Sequence, residues 1–266
     1  MNASFKLRDL LEAGMHLGHK TNKWNPNMGK YIYGSQDNIH IIDLRKTVEL
    51  LSNALLFIEN TVKNNGSILF IGTKSQASDI VKKYAEECKH FYVNKRWLGG
   101  MLTNWSTISN SLNSLNSLNK KISNENLKLK KKEILQMNRQ IDKIEKYLGG
   151  LKDMGALPQA IFVVDVNKDA IAVTEANKLK IPVIGILDTN SSPLGIDYPI
   201  PGNDDSRKTI ELICSLMSQI IIKNKKKIKL NENFEKKDNT KIPTKKEVKD
   251  KLKKIKKKIN EKNISK

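Results

Sequence analysis

Cysteine is nearly absent. Cys88 and Cys214 are the only two in 266 residues, and they lie far apart in the chain. They make neither a disulfide framework nor a metal cluster, which fits a reducing compartment. Long apolar runs are missing too. No stretch reaches the roughly 18–20 uncharged apolar residues that a membrane span needs. Met1 to Leu11 holds Arg8 and Asp9 where a secretory signal would need an apolar segment and a small-residue cleavage site. The nucleotide signatures G-x-x-x-x-G-K-[ST] and G-x-G-x-x-G do not occur, nor do H-E-x-x-H and G-x-S-x-G. These absences argue against a membrane partner, a cofactor and a small-molecule substrate.

What the chain does have is positive charge. It carries 48 Lys and Arg against 28 Asp and Glu, a net +20, which favours a polyanionic partner. The excess is uneven. Lys223 to Lys266 holds 19 lysines and six acidic residues, so this tail contributes +13 and the preceding 222 residues only +7. Such a tail buries too little apolar area to offset its ordering entropy, so disorder is expected from 223 to 266. On a polyanion, Lys245 to Ile259 has the spacing of a basic helix.

The rest reads as alternating strands and helices. A short helix is expected over 4–13, with Ser4 as N-cap, then a loop from Gly14 to Gly29. Tyr31 to Tyr33 and Ile39 to Ile42 read as short strands, and Leu44 to Val62 has helical spacing. Apolar runs at Ser67–Ile71, Phe91–Val93, Ala160–Val164 and Pro182–Leu187 read as strands of a parallel sheet. Helices are expected over Ser75–Glu87, Lys168–Leu179 and Ser206–Ile222, covering both faces of that sheet. Thr103 to Gly149 interrupts the alternation. Its two 3–4 apolar stripes predict an antiparallel helical hairpin, a coiled coil inserted into the α/β body. The body thus spans 1–102 and 150–222, and the insertion 103–149.

Several residues invite chemistry. Gly72-Thr73-Lys74 follows a strand and opens a helix, so it could meet a nucleotide, an RNA phosphate or nothing. Asp165 and Asp188 end two strands, where α/β enzymes place ligands, but a carboxylate there also caps turns. No base or nucleophile accompanies them. His16 and His19 form an H-x-x-H, yet a zinc site would need two further ligands, and no Cys or His cluster lies nearby. Lys95-Arg96-Trp97-Leu98-Gly99-Gly100 offers a planar cation for phosphate and an indole that either stacks on a base or fills the core. Lys20, Lys23 and Lys30, interleaved with Trp24, make a second basic patch.

A set of blocks in order carries a resemblance. These are Leu10-Leu-Glu-Ala-Gly-Met-His-Leu-Gly-His19, Lys23-Trp-Asn-Pro-Asn-Met28, Ile39-His-Ile-Ile-Asp43, Phe70-Ile-Gly-Thr-Lys74 and Arg96-Trp-Leu-Gly-Gly-Met-Leu-Thr-Asn104. Leu148-Gly-Gly-Leu-Lys-Asp-Met154, Pro158 to Pro182 with Glu175 inside it, Asp188-Thr-Asn190 and Ile200-Pro-Gly-Asn-Asp-Asp205 follow. Together they resemble the bacterial-type ribosomal protein S-two family over about residues 5 to 222. The resemblance implies a flavodoxin-like sheet with an inserted coiled-coil hairpin and no enzymatic activity. It implies a structural place in the small ribosomal subunit between head and body. There the partners are 16S-type ribosomal RNA and neighbouring proteins, including the large mRNA-binding protein S-one. The implied location is ribosome-bound in the cytoplasm of a bacterium or, if organelle-encoded, in the organelle matrix.

On this reading the RNA-contacting residues are His19, Lys20, Lys23, Trp24, Lys30, Lys74, Lys95, Arg96 and Asn104, with no metal or cofactor. The competing reading is a nucleotide-binding α/β enzyme using Gly72 to Lys74. Two departures stand out: the lysine-rich tail, and a hairpin rich in Ser and Asn between Ser109 and Lys121.

Overall fold

The computed structural model describes residues 5–123 and 131–239, with side chains through Lys227. The chain divides into two compact units, Met1–Ile222 and Lys223–Lys266. In the first, β4 (Ile68–Ile71), β5 (Phe91–Val93), β6 (Ala160–Val163), β7 (Val183–Leu187) and β8 (Tyr198–Pro201) form a five-stranded sheet. Its order is β5-β4-β6-β7-β8 and every pairing is parallel. Counted along the sheet's own strands this is 2-1-3-4-5, the flavodoxin-like order.

Alternation along the strands explains why the sheet is buried on both faces. Ile68, Phe70, Ala160, Phe162, Ile184 and Ile186 pack on one side. Leu69, Ile71, Ile161, Val163, Val183 and Leu187 pack on the other. The first side is covered by α2 (Leu44–Lys63), α3 (Ser75–Glu87) and α7 (Arg207–Asn239), whose Leu51, Ile58, Val81, Ile213 and Met217 are buried there. The second takes α6 (Ala170–Lys178) and the bases of α4 (Trp105–Ile122) and α5 (Lys131–Leu148), through Ala172, Ala176, Ile108 and Leu148. A continuous apolar run with neighbours on both faces is the pattern of a parallel sheet.

Ahead of this body, α1 (Leu7–Glu12) leads into β1 (Leu17–Lys20), β2 (Ile32–Gln36) and β3 (Ile39–Ile42), a small antiparallel sheet ordered β1-β3-β2. β1 falls inside the expected Gly14–Gly29 loop. Its four residues Leu-Gly-His-Lys show no apolar alternation, so there is no strand signal to read. Ser4 lies outside the described residues. The α1 N-terminus is closed at Lys6, whose backbone N–H donates to the Asp9 carboxylate at 2.7 Å. β8 also differs from expectation, because two prolines in Tyr198–Pro201 mask an edge strand.

α4 and α5 lie against each other. Ile108, Leu112 and Leu115 on α4 and Ile141 and Leu148 on α5 are buried. Two serines on α4 turn their hydroxyls back onto its own carbonyls, Ser111 to Thr107 at 3.0 Å and Ser114 to Asn110 at 2.9 Å. This satisfies them without a partner helix. α7 runs on through the lysine-rich stretch to Asn239 instead of ending at Ile222. The expected disorder of 240–266 and the basic helix at 245–259 lie outside the described residues.

Candidate nucleic-acid interface

Four strands of the large sheet end in polar turns at one edge, and their side chains converge there. The turn after β4 supplies Thr73 and Lys74, and that after β6 supplies Asp165 and Asp169. β7 leads to Asp188 and Thr189, and β8 to Asp204 and Asp205. Lys74 sits among them. Its ammonium lies 3.2 Å from Asp165, 2.8 Å from Asp204 and 2.6 Å from Asp205. Asp169 accepts from the Thr73 hydroxyl at 2.9 Å, and Asp165 accepts from the Lys168 N–H at 2.9 Å. Gly72 is needed because a Cβ there would lie 2.7 Å from a methyl of Val81, so α3 could not pack so closely on the strand.

Titration follows from this crowding. Burial would lower the Lys74 pKa, but hydrogen bonds to Asp204 and Asp205 raise it above the ordinary lysine value. Burial pushes Asp204 up to about 7, with Asp165 and Asp188 adding repulsion. Burial likewise pushes Asp169 up to about 6. In an open flavodoxin-like sheet the crevice beyond the strand ends is where ligands bind. Here it is filled by the chain's own carboxylates, which would repel a phosphate. Lys74 faces inward into this cluster.

His19 joins the cluster from β1. Its Nδ1 lies 3.0 Å from Asp188 and its Nε2 3.5 Å from Asp205. The hydrogen bond to Asp188 raises its pKa, against the effect of burial. One ligand atom each from His19, Asp204 and Asp205 lie within 4.8 Å of one another, a set of donors that could hold a cation. A search for nearby Cys or His misses this, because the donors are aspartates from the far end of the chain.

The same edge anchors the first basic loop. The His19 N–H donates to the Thr189 hydroxyl at 2.9 Å, and the Asn25 N–H donates to the Thr189 carbonyl at 2.8 Å. Gly18 permits the approach, since a Cβ there would stand 2.5 Å from the Thr189 methyl. Held this way, the loop carries Lys20, Lys23, Trp24 and Lys30 outward. All four are exposed, Trp24 by 43% with its ring tilted against His40. Lys30 places its ammonium 4.8 Å from the Tyr31 ring.

The second basic loop runs from β5 to α4. Trp97 is buried, which settles its role as an anchor, and its indole donates to Glu175 on α6 at 3.1 Å. Glu175 also accepts from the N–H groups of Gly100 at 2.7 Å, Leu102 at 3.0 Å and Thr103 at 3.0 Å, and from the Thr103 hydroxyl at 3.0 Å. Burial works against its ionisation, but these donors outweigh it and lower the pKa. Lys95, Arg96 and Asn104 are exposed around this anchor. Asn104 is the N-cap residue of α4 and accepts from the Thr107 hydroxyl at 2.9 Å. Among the described residues, Lys20, Lys23, Lys30, Lys95 and Arg96 form no ion pair.

Comparison with known proteins agrees with the fold. Residues 10–224 match the family described as Ribosomal protein S2. A protein of Chelativorans sp. (strain BNC1) called "Small ribosomal subunit protein uS2" is 55% identical over 218 residues, covering 82% of this chain and 82% of its own length. Its namesake in Anaplasma phagocytophilum (strain HZ) is 52% identical over 220 residues, covering 82% of this chain and 74% of the relative. That of Parvibaculum lavamentivorans is 52% identical over 218 residues, covering 82% and 86%.

Proposed function

The chain belongs to the ribosomal protein S2 family and is a structural protein of the small ribosomal subunit; from that premise we propose that it binds 16S-type ribosomal RNA through two anchored basic loops. The observation that carries this reading is the contrast among its cations. Lys74 is neutralised by three carboxylates, whereas Lys20, Lys23, Lys30, Lys95 and Arg96 are exposed and form no ion pair among the described residues. An unpaired surface lysine or arginine displaces counterions from RNA phosphate, and this release drives affinity. Recognition then rests on RNA shape, since the deep, narrow major groove of double-helical RNA keeps its base edges from side chains. Trp24 offers a stacking face for an unpaired base. His19 and Asn104 act by holding the two loops, and Lys74 by neutralising the acidic edge between them.

The body further takes the family's place between head and body and helps recruit S-one, while α4 and α5 close as an antiparallel coiled-coil hairpin that serves as a strut toward neighbouring RNA or protein. The nucleotide-enzyme reading loses ground on electrostatics: the crevice a phosphate would enter is lined by Asp165, Asp169, Asp188 and Asp204, all buried.

The test is sedimentation of a cell lysate through sucrose at low and high salt, probing for this chain. Retention on the small subunit through the high-salt wash is the expected result. A chain that stays at the top of both gradients refutes the ribosomal reading. On isolated RNA, each Lys to Ala change among the five exposed cations should lower the salt slope of binding by about one unit.

A further inference from the structure

The loop between β5 and α4 is folded around an anion that belongs to the protein. Glu175 brings its carboxylate from α6 into the concave side of residues 97–103 and meets five donors there: one indole, three backbone N–H groups and one hydroxyl. Converging backbone N–H groups of this kind are an anion-binding arrangement. Gly100 takes φ +87 to complete the turn, a conformation that disfavours any side chain. The Trp97 and Leu102 donors are buried, so without the carboxylate they would have no access to water in its place.

The loop alternates between anchor and surface. Trp97, Met101 and Leu102 are buried, while Lys95, Arg96, Gly99, Thr103 and Asn104 are exposed. Arg96 is bonded directly to Trp97, and Asn104 directly to Thr103. Both outward residues therefore adjoin a residue whose donor Glu175 holds. Asn104 also begins α4, so the same clamp fixes where that helix leaves the body. Disordered cations pay an ordering cost when they bind, and a loop already held in one conformation avoids it.

We propose that Glu175 is the positioning residue of the RNA-contacting loop, an internal carboxylate that fixes Lys95 and Arg96 in their binding orientation, and Asn104 at the start of α4, without touching RNA itself. This rests on the reading of that loop as part of the RNA face. The internal anion also occupies the backbone donors, so phosphates must be met by side chains and not by the N–H groups of the turn.

The experiment uses the full chain and purified 16S-type ribosomal RNA over a range of salt. Four forms are compared: the parent, Glu175→Gln, the double variant Lys95→Ala/Arg96→Ala, and the combination of all three changes. Glutamine keeps the size but replaces one acceptor oxygen with a donor, which faces N–H groups it cannot bond. In Glu175→Gln, amide exchange should quicken at Gly100, Leu102 and Thr103. RNA affinity should fall about tenfold, and the salt slope by between one and two units. Adding Glu175→Gln to the double variant should cost little more affinity, because the two cations it positions are already gone.

Equal losses from Glu175→Gln with and without Lys95 and Arg96 would overturn the proposal, as would faster exchange with unchanged affinity and slope. If the double variant alone binds as the parent does, the RNA reading of this loop fails, and the proposal falls with it. Should Glu175→Gln not fold, Glu175→Asp, which keeps the charge and draws it back by one methylene, is put through the same cycle, where the same losses would support or overturn the proposal.

Discussion

Lys74→Met gives a direct measure of what holds the acidic edge of the sheet together. Methionine keeps the unbranched stem as far as Cε and removes the ammonium. Asp204 is 1% exposed and Asp165 8% exposed, so two buried carboxylates lose their cation, while the Asp205 side chain is 48% exposed and contributes less. Breaking a buried pair from one side costs about 3–5 kcal/mol. The pH dependence follows from Asp204, whose pKa is already about 7 with the lysine present. Removing an attractive cation moves that value higher, at about 1.4 kcal/mol per unit. The cost is felt only where the parent carboxylate would be ionised, so it is present at pH 8 and largely absent, for this residue, at pH 5. Unfolding midpoints of the two proteins in chelator-containing buffer should thus differ by roughly 10 °C at pH 8, given 2–4 °C per kcal/mol for a body of this size. The gap should narrow clearly at pH 5. A loss that is the same at both pH values, or below about 1 kcal/mol at pH 8, would show that the ion cluster is not what secures these turns.

Three further outcomes are expected. The parent protein should melt lower at pH 8 than at pH 5.5: Asp204 and Asp169 hold protons in the fold up to about 7 and 6 that the unfolded chain releases near 3.8, so stability falls as pH rises through that window. His19 acts in the same direction, since its raised pKa favours the fold at low pH and that gain is lost as the imidazole deprotonates; Asp204→Asn should flatten the melting profile, and an unchanged slope would count against the assignment. Gly150→Ala should cost at least 1–3 kcal/mol in denaturant unfolding, because its Cβ would fall 2.1 Å from the Tyr92 carbonyl oxygen, whereas Gly155→Ala has no atom within 4 Å and should be near neutral. Trp24→Ala should change stability by less than about 1 kcal/mol, the ring being 43% exposed, yet weaken binding to small-subunit RNA by about 1–3 kcal/mol in a filter assay; undiminished binding would remove Trp24 from the interface.

How far the sequence could be read depended on whether the governing interaction was local. The strand at Phe91–Val93 and the helix at Ser75–Glu87 coincide with their expected bounds, since the local apolar pattern marks both. β1 and β8 were not legible. One is polar and the other proline-bearing, and each is a strand because of what it pairs with. The site shows the same division. That Lys20, Lys23, Lys30, Lys95 and Arg96 lie on the surface is legible from charge and flanking glycine. That Lys74 turns inward is not, since its three carboxylates come from positions 165, 204 and 205. Glu175 stood inside a family block, but a lone glutamate on a helix gives no sign that it holds a loop more than 70 residues earlier, at |i−j| of 72 to 78.

The bonds from Thr189 to the first basic loop also set a timetable. His19 reaches its hydroxyl partner across a sequence separation of 170. Synthesis runs from the N-terminus, so Lys20, Lys23, Trp24 and Lys30 leave the translating ribosome long before the strand that will hold them exists. Through most of its own translation the chain carries these groups without the scaffold that orients them. Only when β7 and β8 have emerged and docked can the loop take its final form. A product truncated before Thr189 would carry the cations of the first basic loop without the scaffold that orients them, and would bind RNA without discrimination.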